Sequence, residues 1–427
     1  MKNIKVAILG MGTVGGGIYG LIEREQKNIE HKENIHIEVK KTLALNYAVE
    51  VPNEKKAKNI DEIINDPEIT VVAEVMGGQH PAKEFIMAAL KAGKTVVSAN
   101  KDMISQNWPD LEGAAREGGV GFYFEAAVGG GIPILRALND SMQANSINEV
   151  YGIVNGTTNY ILTKMDDEGR DFDDVLKEAQ TLGYAEANPT SDVEGLDARY
   201  KLSILASMAF HARIPVDKIY CEGITKITKT DIEIGRELGL VVKLLAIGKK
   251  DENGVVEVRV HPTMIPKDHA LASIKGSFNA IFINGSAVGE MMWYGKGAGD
   301  FPTASALVSD MIYAVHNAEH PRYATFENSY DAHNVKFNDN WLTEYFIRTV
   351  VQDKPGVLAK IAGIFGKHDV SIESVIQKGA KRGEDSAPLI VVTHKAHEKD
   401  LQKAIEEIKQ MDAVISIPSC IRVEKQS

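Results

Sequence analysis

KVAILGMGTVGGG, residues 5–17, decides how the chain begins to fold. Val6 to Leu9 are an unbroken apolar run ending on Gly10, as in a strand buried on both faces. From Gly10 the sequence satisfies G-x-G-x-x-G, with Gly10, Gly12 and Gly15 in place and Thr13 and Val14 leading into a helix. Each glycine answers a physical need: the turn is tight, the main chain must approach a pyrophosphate, and the helix must pack near the sheet. The helix N-terminus then offers N–H groups and a positive dipole end to the phosphates. Lys2, Lys5 and the uncharged run up to Glu23 also resemble a secretory leader, but the glycines and the lack of an A-x-A-like cleavage site set it apart.

Alternation continues downstream. IHIEVKKTLAL (35–45), TVVAEVMG (70–77), TVVSANK (95–101) and VGFYFEAAV (120–128) read as strands, and PAKEFIMAALKAG (81–93) as a helix between two of them. Such alternation predicts a doubly wound parallel sheet. At the end of the second strand, where an acid would hold an NAD ribose and an arginine the 2′-phosphate of NADP, stand Asn46 and Tyr47, with Lys55, Lys56 and Lys58 beyond. AEVMGG (73–78) and SANK (98–101) fall at strand carboxyl ends, where open α/β sheets bind ligands.

The middle mixes strand candidates (INEVYGIVNG, VVEVRVHP, NAIFING) with long helix candidates (LDARYKLSILASMAFHA, PTASALVSDMIYAVHNA). In the tail, YFIRTVV, DVSIESVIQ, PLIVVTH and AVISIPS read as strands around two helical segments, giving the ferredoxin-like order βαββαβ. The expected fold class is therefore α/β, in four segments. A Rossmann-type domain covers 1–132, an α+β substrate and dimerisation domain 133–326, a linker 327–342 and the ferredoxin-like domain 343–427. The last helix of the second is expected to pack back on the first.

A chain of 427 residues suits two or three such domains. Its net charge of −11 argues against nucleic acid or an anionic membrane as partner. Two cysteines, Cys221 and Cys420, provide neither a disulfide framework nor a thiolate metal site. No other apolar run approaches the roughly 18 residues a membrane span needs, and the expected location is the cytoplasm.

EANPTSDVEGLDARYKLSIL (186–205) gathers Glu186, Asp192, Glu194, Asp197 and Lys201 just where an apolar helix begins. Asp197 and Lys201 are i and i+4 and share a helix face. As surface decoration the pair is worth only about 0.2–0.5 kcal/mol. The chemical reading is different. Reducing a carbonyl by hydride develops negative charge on oxygen, and a lysine among carboxylates can supply the proton or the cation.

Taken together, G-M-G-T-V-G, EVMGG, SANK, FEAAVGGGIP (124–133), NGTTNYIL (155–162), the stretch 183–205 and GKGAGDFPTASALVSD (295–310) resemble the homoserine dehydrogenase family, in its order and over nearly the whole chain. DKPGVLAKIAGIF and HDVSIESV resemble an ACT domain, the regulatory module many bacterial members carry. With no aspartate kinase segment beside it, the chain resembles a monofunctional member.

The resemblance implies reversible reduction of L-aspartate 4-semialdehyde to L-homoserine, on the route to threonine, methionine and isoleucine. NADP or NAD is the coenzyme, with the preference open. It implies Lys201 as general acid/base, Lys101 between nicotinamide and substrate, and Asp192 as a further active-site acid. Glu186 and Asp197 then hold the substrate's ammonium, with Thr157 beside the substrate. Gly10, Gly12, Thr13, Val14, Gly15, Ser98, Lys101 and Gly299 are placed at the coenzyme. Glu125, Val128, Gly130 and Ile132 are placed around Na+ or another monovalent cation. Gly356 in DKPG marks the effector turn, with L-threonine as the natural effector, and the assembly is a homodimer or homotetramer.

Two rival readings stand beside it: a non-catalytic sensor of amino acid and dinucleotide, which the loss of Lys101 or Lys201 would mark, and a dehydrogenase of another amino-acid carbonyl. His211 and His261 lack metal-ligand spacing and read as packing or surface residues. Met291, Met292 and Trp293 read as core or interface, and Cys221 as a small buried hydrophobe.

Overall fold

The computed structural model describes residues 1–319, 334–377 and 385–425. The chain divides into two compact units, one of Met1–Gly156, Asp197–Ile219 and Phe278–Val335, the other of Thr157–Leu196, Tyr220–Ser277 and Lys336–Ser427.

In the first unit, strand Lys2–Met11 carries the fully buried Val6–Leu9 run and lies parallel to Ile35–Tyr47 on one side and Ile69–Glu74 on the other. Thr95–Ser98 and Phe122–Tyr123 extend the sheet, again in parallel. The spatial order is second, first, third, fourth, fifth. Winding therefore reverses between the first and third strands, and at such a reversal the carboxyl ends leave a crevice for ligands. The strand expected over 120–128 is shorter: Phe122–Tyr123 pair, then Glu125–Ala127 tighten into a 3-10 turn that leads to two left-handed glycines, Gly129 and Gly130.

Helix Thr13–Glu33 sets Ile18 and Ile22 against Val6, Ile8, Val39 and Val71 in one core. Leu307 and Met311, from the distant helix Asp300–His316, belong to that core too. Gly17 permits the approach, since a Cβ there would lie 2.7 Å from the Asp300 carbonyl oxygen. An antiparallel sheet completes the unit, with Phe278–Gly285 between Ile147–Ile153 and Gly289–Lys296. Gly289–Lys296 alternates half-buried Met291 and Trp293 with exposed Met292 and Tyr294.

The second unit is organised on the hairpin Leu240–Lys250 and Val255–Pro266. LVVKLLAIG is nearly buried throughout and shows no period-2 alternation, so its pattern alone does not distinguish strand from buried helix. Along the other edge of Val255–Pro266 run three parallel partners in succession: Lys336–Phe337, Tyr220–Cys221 and the final strand Val414–Val423. Of the expected linker, 327–333 lie outside the described residues, and Lys336–Phe337 is this short strand. Val414–Val423 also pairs with Leu342–Gln352, which pairs with Ser386–Thr393, which pairs with Ile372–Gln377, all antiparallel. Helices Val357–Lys367 and Glu398–Lys409 cover this sheet through Ile361, Phe365, Leu401, Ile405 and Ile408. The tail is thus ferredoxin-like, and its last strand is hydrogen-bonded into the long hairpin.

Buried ion pairs stitch that junction. Fully buried Arg259 meets Glu257 at 2.6 Å and also Glu424, which Lys249 reaches at 2.8 Å. Arg422 meets Glu398 at 2.7 Å and also Glu222, and Arg348 meets Asp231 at 2.7 Å. No helix among the described residues is long and apolar enough to cross a membrane.

Candidate active site

The glycine turn stands at the crevice. Gly10 is left-handed (φ +96°), and a Cβ on it would meet the Val75 carbonyl oxygen at 2.6 Å. A Cβ on Gly15 would lie 1.9 Å from the Gly10 carbonyl oxygen, while one on Gly12 would meet nothing within 4 Å. The outer two are thus glycines for packing. The central one keeps open the space through which a pyrophosphate approaches the main chain, at the start of Thr13–Glu33. Thr13 is exposed and Val14 half-buried in that first turn. These residues fit a dinucleotide.

The next strand ends are tied to each other. Fully buried Glu74 accepts the Ser98 hydroxyl at 2.6 Å, the Met76 amide at 2.9 Å and the Asn100 side chain at 3.3 Å. Burial pushes its carboxyl pKa up, against those hydrogen bonds. Asn100 also donates to the Gly78 carbonyl at 2.7 Å and accepts the Met103 amide at 3.2 Å, capping helix Lys101–Gly118. EVMGG and SANK are therefore one structural piece, and it delivers Lys101 as the first helical residue.

Lys101 meets Asp197, whose carboxylate is the centre of the cluster, at 3.4 Å. Asp197 sits in the first turn of helix Leu196–Phe210, with Lys201 one turn on. The Lys201 ammonium donates to Asp197 at 2.6 Å and to the Val154 carbonyl at 2.8 Å. The Asn155 amide donates to the same Asp197 oxygen at 2.9 Å. The Asp197 side chain is 8 % exposed, that of Lys201 13 % and that of Lys101 38 %. Burial alone would raise the Asp197 pKa, but the charges of Lys201 and Lys101 and the hydrogen bonds from Lys201 and Asn155 outweigh it and bring it to about 2. Asp197 is thus a fixed anion at any physiological pH. This is not surface decoration: a carboxylate taken out of water is compensated on both oxygens, by Lys101 on one and by Lys201 and Asn155 on the other.

The other expected substrate residues belong to the second unit. Thr157 donates its hydroxyl to the Tyr184 carbonyl at 2.6 Å. Glu186 is exposed, its main-chain oxygen accepting Gln180 at 3.1 Å, and Asp192 lies in the short helix Thr190–Val193. In the tail, Gly356 is left-handed (φ +86°) and opens helix Val357–Lys367 beside a cavity of about 350 Å³.

Gly299 (φ +122°) caps helix Asp300–His316, and a Cβ on Gly130 would lie 2.4 Å from the Gly297 carbonyl oxygen, so the two glycine-rich turns interlock. Glu125 spends its carboxylate on the Leu135 and Arg136 amides at 2.8 and 2.6 Å, and the Ile132 carbonyl accepts the Ile134 amide at 2.9 Å. Among the described residues no group of His, Cys, Asp or Glu is arranged to hold a metal ion. Burial and the neighbouring Asp310 carboxylate push the Glu125 pKa up to about 7. A carboxyl raised in the fold binds its proton more tightly there than in the unfolded chain, so stability falls as pH rises from about 4.5 towards 7. Glu125→Gln keeps one acceptor oxygen and should flatten this fall, which amounts to at most about 3 kcal/mol. Thermal midpoints of both proteins across that range check it, and parallel curves would refute it.

Asn155 and Asn100 were not singled out in the sequence, although each lies inside a quoted motif. Asparagine beside a carboxylate leaves no pattern along the chain. His261 is fully buried, as a packing role requires. Cys221, expected to be buried, is instead half-buried, its thiol 3.3 Å from the Glu194 carbonyl, because its two-residue strand lies beside an open cleft.

Residues 133–312 match the family model described as homoserine dehydrogenase, 10–125 that of its NAD binding domain, and 345–413 the ACT domain. A homoserine dehydrogenase of Synechocystis sp. is 41% identical over 99% of each chain. The crystal structure of a homoserine dehydrogenase from Thiobacillus denitrificans superposes with a TM-score of 0.93, at 40% identity, covering 100% of this chain and 99% of that one. A hyperthermophilic archaeal homoserine dehydrogenase solved in complex with NADPH has a TM-score of 0.64 at 26% identity, over 74% of this chain and 98% of its own.

Proposed function

The chain belongs to the homoserine dehydrogenase family and is an NAD(P)-dependent oxidoreductase, and on that premise we propose how its own residues carry the reaction. The substrate is L-aspartate 4-semialdehyde and the product L-homoserine. The observation that supports the mechanism is the Lys201 ammonium, held by Asp197 at 2.6 Å and Val154 at 2.8 Å, with Lys101 on the other carboxylate oxygen. Held at the Gly10–Gly15 turn and beside Lys101, a nicotinamide coenzyme would supply the hydride for the aldehyde carbon. As the carbonyl oxygen gains charge, the ammonium groups of Lys101 and Lys201 stabilise it, and Lys201 gives it a proton, directly or through water. Solvent then reprotonates Lys201. Asp197 fixes the orientation of both lysines throughout. Glu186 and Thr157 keep the substrate roles that the resemblance gives them, Asp192 that of a further active-site acid, and Asp197 its share in holding the substrate's ammonium.

Coenzyme choice is read at Asn46. The strand Ile35–Tyr47 ends without an acid, while the Lys56 ammonium lies 5.0 Å from the Tyr47 ring and that of Lys55 5.4 Å from the Tyr19 ring. Cations without a competing carboxylate favour the 2′-phosphate of NADPH. Lys56→Ala should lower kcat/KM for NADPH by about tenfold and leave NADH nearly unchanged. Equal losses with both coenzymes would remove Lys56 from that role.

The tail's turn at Gly356 is read as the site of an amino-acid effector, L-threonine, in keeping with feedback by an end product of the route to threonine, methionine and isoleucine. The alternating Met291–Tyr294 strand is read as a surface for a second copy of the chain, giving a homodimer or homotetramer in the cytoplasm. A monovalent cation, Na+ or another, is assigned to Glu125, Val128, Gly130 and Ile132 through their main-chain oxygens, since the Glu125 carboxylate holds the Leu135 and Arg136 amides. The testing experiment is coenzyme oxidation with L-aspartate 4-semialdehyde, using NADPH and NADH, with and without L-threonine. Turnover is expected with both coenzymes and inhibition with threonine. Folded protein that binds coenzyme and turns over neither would overturn the mechanism, and turnover indifferent to threonine would remove the effector.

A further inference from the structure

The second unit holds a cleft of about 450 Å³ between the tail's helix Glu398–Lys409 and final strand on one side and the segment Tyr220–Ile227 on the other. That volume suits a small molecule, for which sites run from roughly 300 to 1,000 Å³. The cleft shares no residue with the cavity at the Gly356 turn. We propose that it binds a small aliphatic α-amino acid.

The charges define the class. Arg422 lines the cleft but is already saturated by Glu222, Glu398 and the Tyr220 hydroxyl, so it does not call for a ligand. Lys226 is exposed and has no ion pair among the described residues, and Lys409 has only Glu406, one turn back on its own helix, at 2.8 Å. Those two ammonium groups suit a carboxylate. Glu194 also lines the cleft and, among the described residues, accepts only the neutral Thr225 hydroxyl at 3.1 Å, so its charge is available to an α-ammonium. Ile405, Ile417 and Pro262 supply apolar wall for a short aliphatic side chain.

The same cleft touches the segment that leads to Asp197. A Cβ on Gly223 would lie 2.2 Å from the Val193 carbonyl oxygen, and the Ile224 amide donates to that oxygen at 2.8 Å. The cleft wall therefore packs directly on the Thr190–Glu194 segment, which immediately precedes the active-site helix Leu196–Phe210. This goes beyond the effector reading at Gly356, because it names a second place with its own residues.

Calorimetric titration of the full chain with L-valine, L-isoleucine and L-threonine, with their D-forms as controls, tests the proposal without depending on turnover. At least one L-form should bind. Its affinity should fall about tenfold in Lys226→Met and in Glu194→Gln, the size of one charge-assisted contact, and stay unchanged in Asp353→Asn at the Gly356 turn. Both pocket residues are exposed, so the variants should fold as the parent does. A bound amino acid should also slow alkylation of Cys221, which lines the cleft, by iodoacetamide. Absence of binding by every L-form would overturn the proposal. So would binding lost only in Asp353→Asn, or binding and Cys221 protection that survive Lys226→Met.

Discussion

Lys201→Met is expected to lower kcat by about 10²–10⁴-fold, the usual worth of a positioned acid, while coenzyme affinity stays within about twofold. Methionine keeps most of the side chain's length, and Asp197 retains Lys101 and Asn155, so the fold should survive the change. The sharper comparison is Lys201→Arg. A guanidinium keeps the charge and can still bond Asp197, but it does not give up a proton at any working pH. If Lys201 transfers the proton, arginine should be nearly as damaging as methionine. If it only stabilises charge, arginine should restore activity to within about tenfold of the parent. Steady-state kinetics with L-aspartate 4-semialdehyde, beside coenzyme titration by fluorescence, separates the two. Restored activity with arginine would end the proton-donor role.

Arg259→Met should cost about 3–5 kcal/mol of stability, because it leaves Glu424 buried with Lys249 as its single remaining cation. The guanidinium is fully buried and also lies 5.1 Å from the ring of Trp341, so methionine recovers the packing but not the charge. Adding Glu424→Gln should restore most of the loss, since an apolar or neutral pair in place of a buried ion pair is often nearly neutral. Urea unfolding followed by tryptophan fluorescence would measure both. A single-variant loss below about 1 kcal/mol would mean that water reaches the pair and that the seam is weaker than its burial implies.

The glycine turn could be read because its chemistry is local: Gly10, Gly12 and Gly15 each answer a constraint set within a few residues. The tail was legible for a similar reason, its short strands and amphipathic helices alternating cleanly. The strand Leu240–Lys250 was not, since residues buried on both faces lose the alternation that marks a strand. At the site, Asp197 and Lys201 declared themselves by an i, i+4 spacing, and Lys101 by its place at a strand end. The partners that hold them, Asn155, Asn100 and Glu74, become visible only when chain ends meet in space. Cys221 misled because its apolar surroundings in sequence say nothing of a cleft formed by residues two hundred positions later.

The helix Asp300–His316 bears on how the protein is born. Leu307 and Met311 complete the core around Val6, Ile18 and Val71, yet they leave the ribosome roughly 300 residues after that core is begun. At about 5–20 residues per second, this helix arrives roughly 10–40 seconds after the five strands. Throughout that interval the apolar groove it will fill faces solvent, where chaperones and other nascent chains compete for it. A fragment ending near residue 132 would carry the same exposed groove permanently and should aggregate.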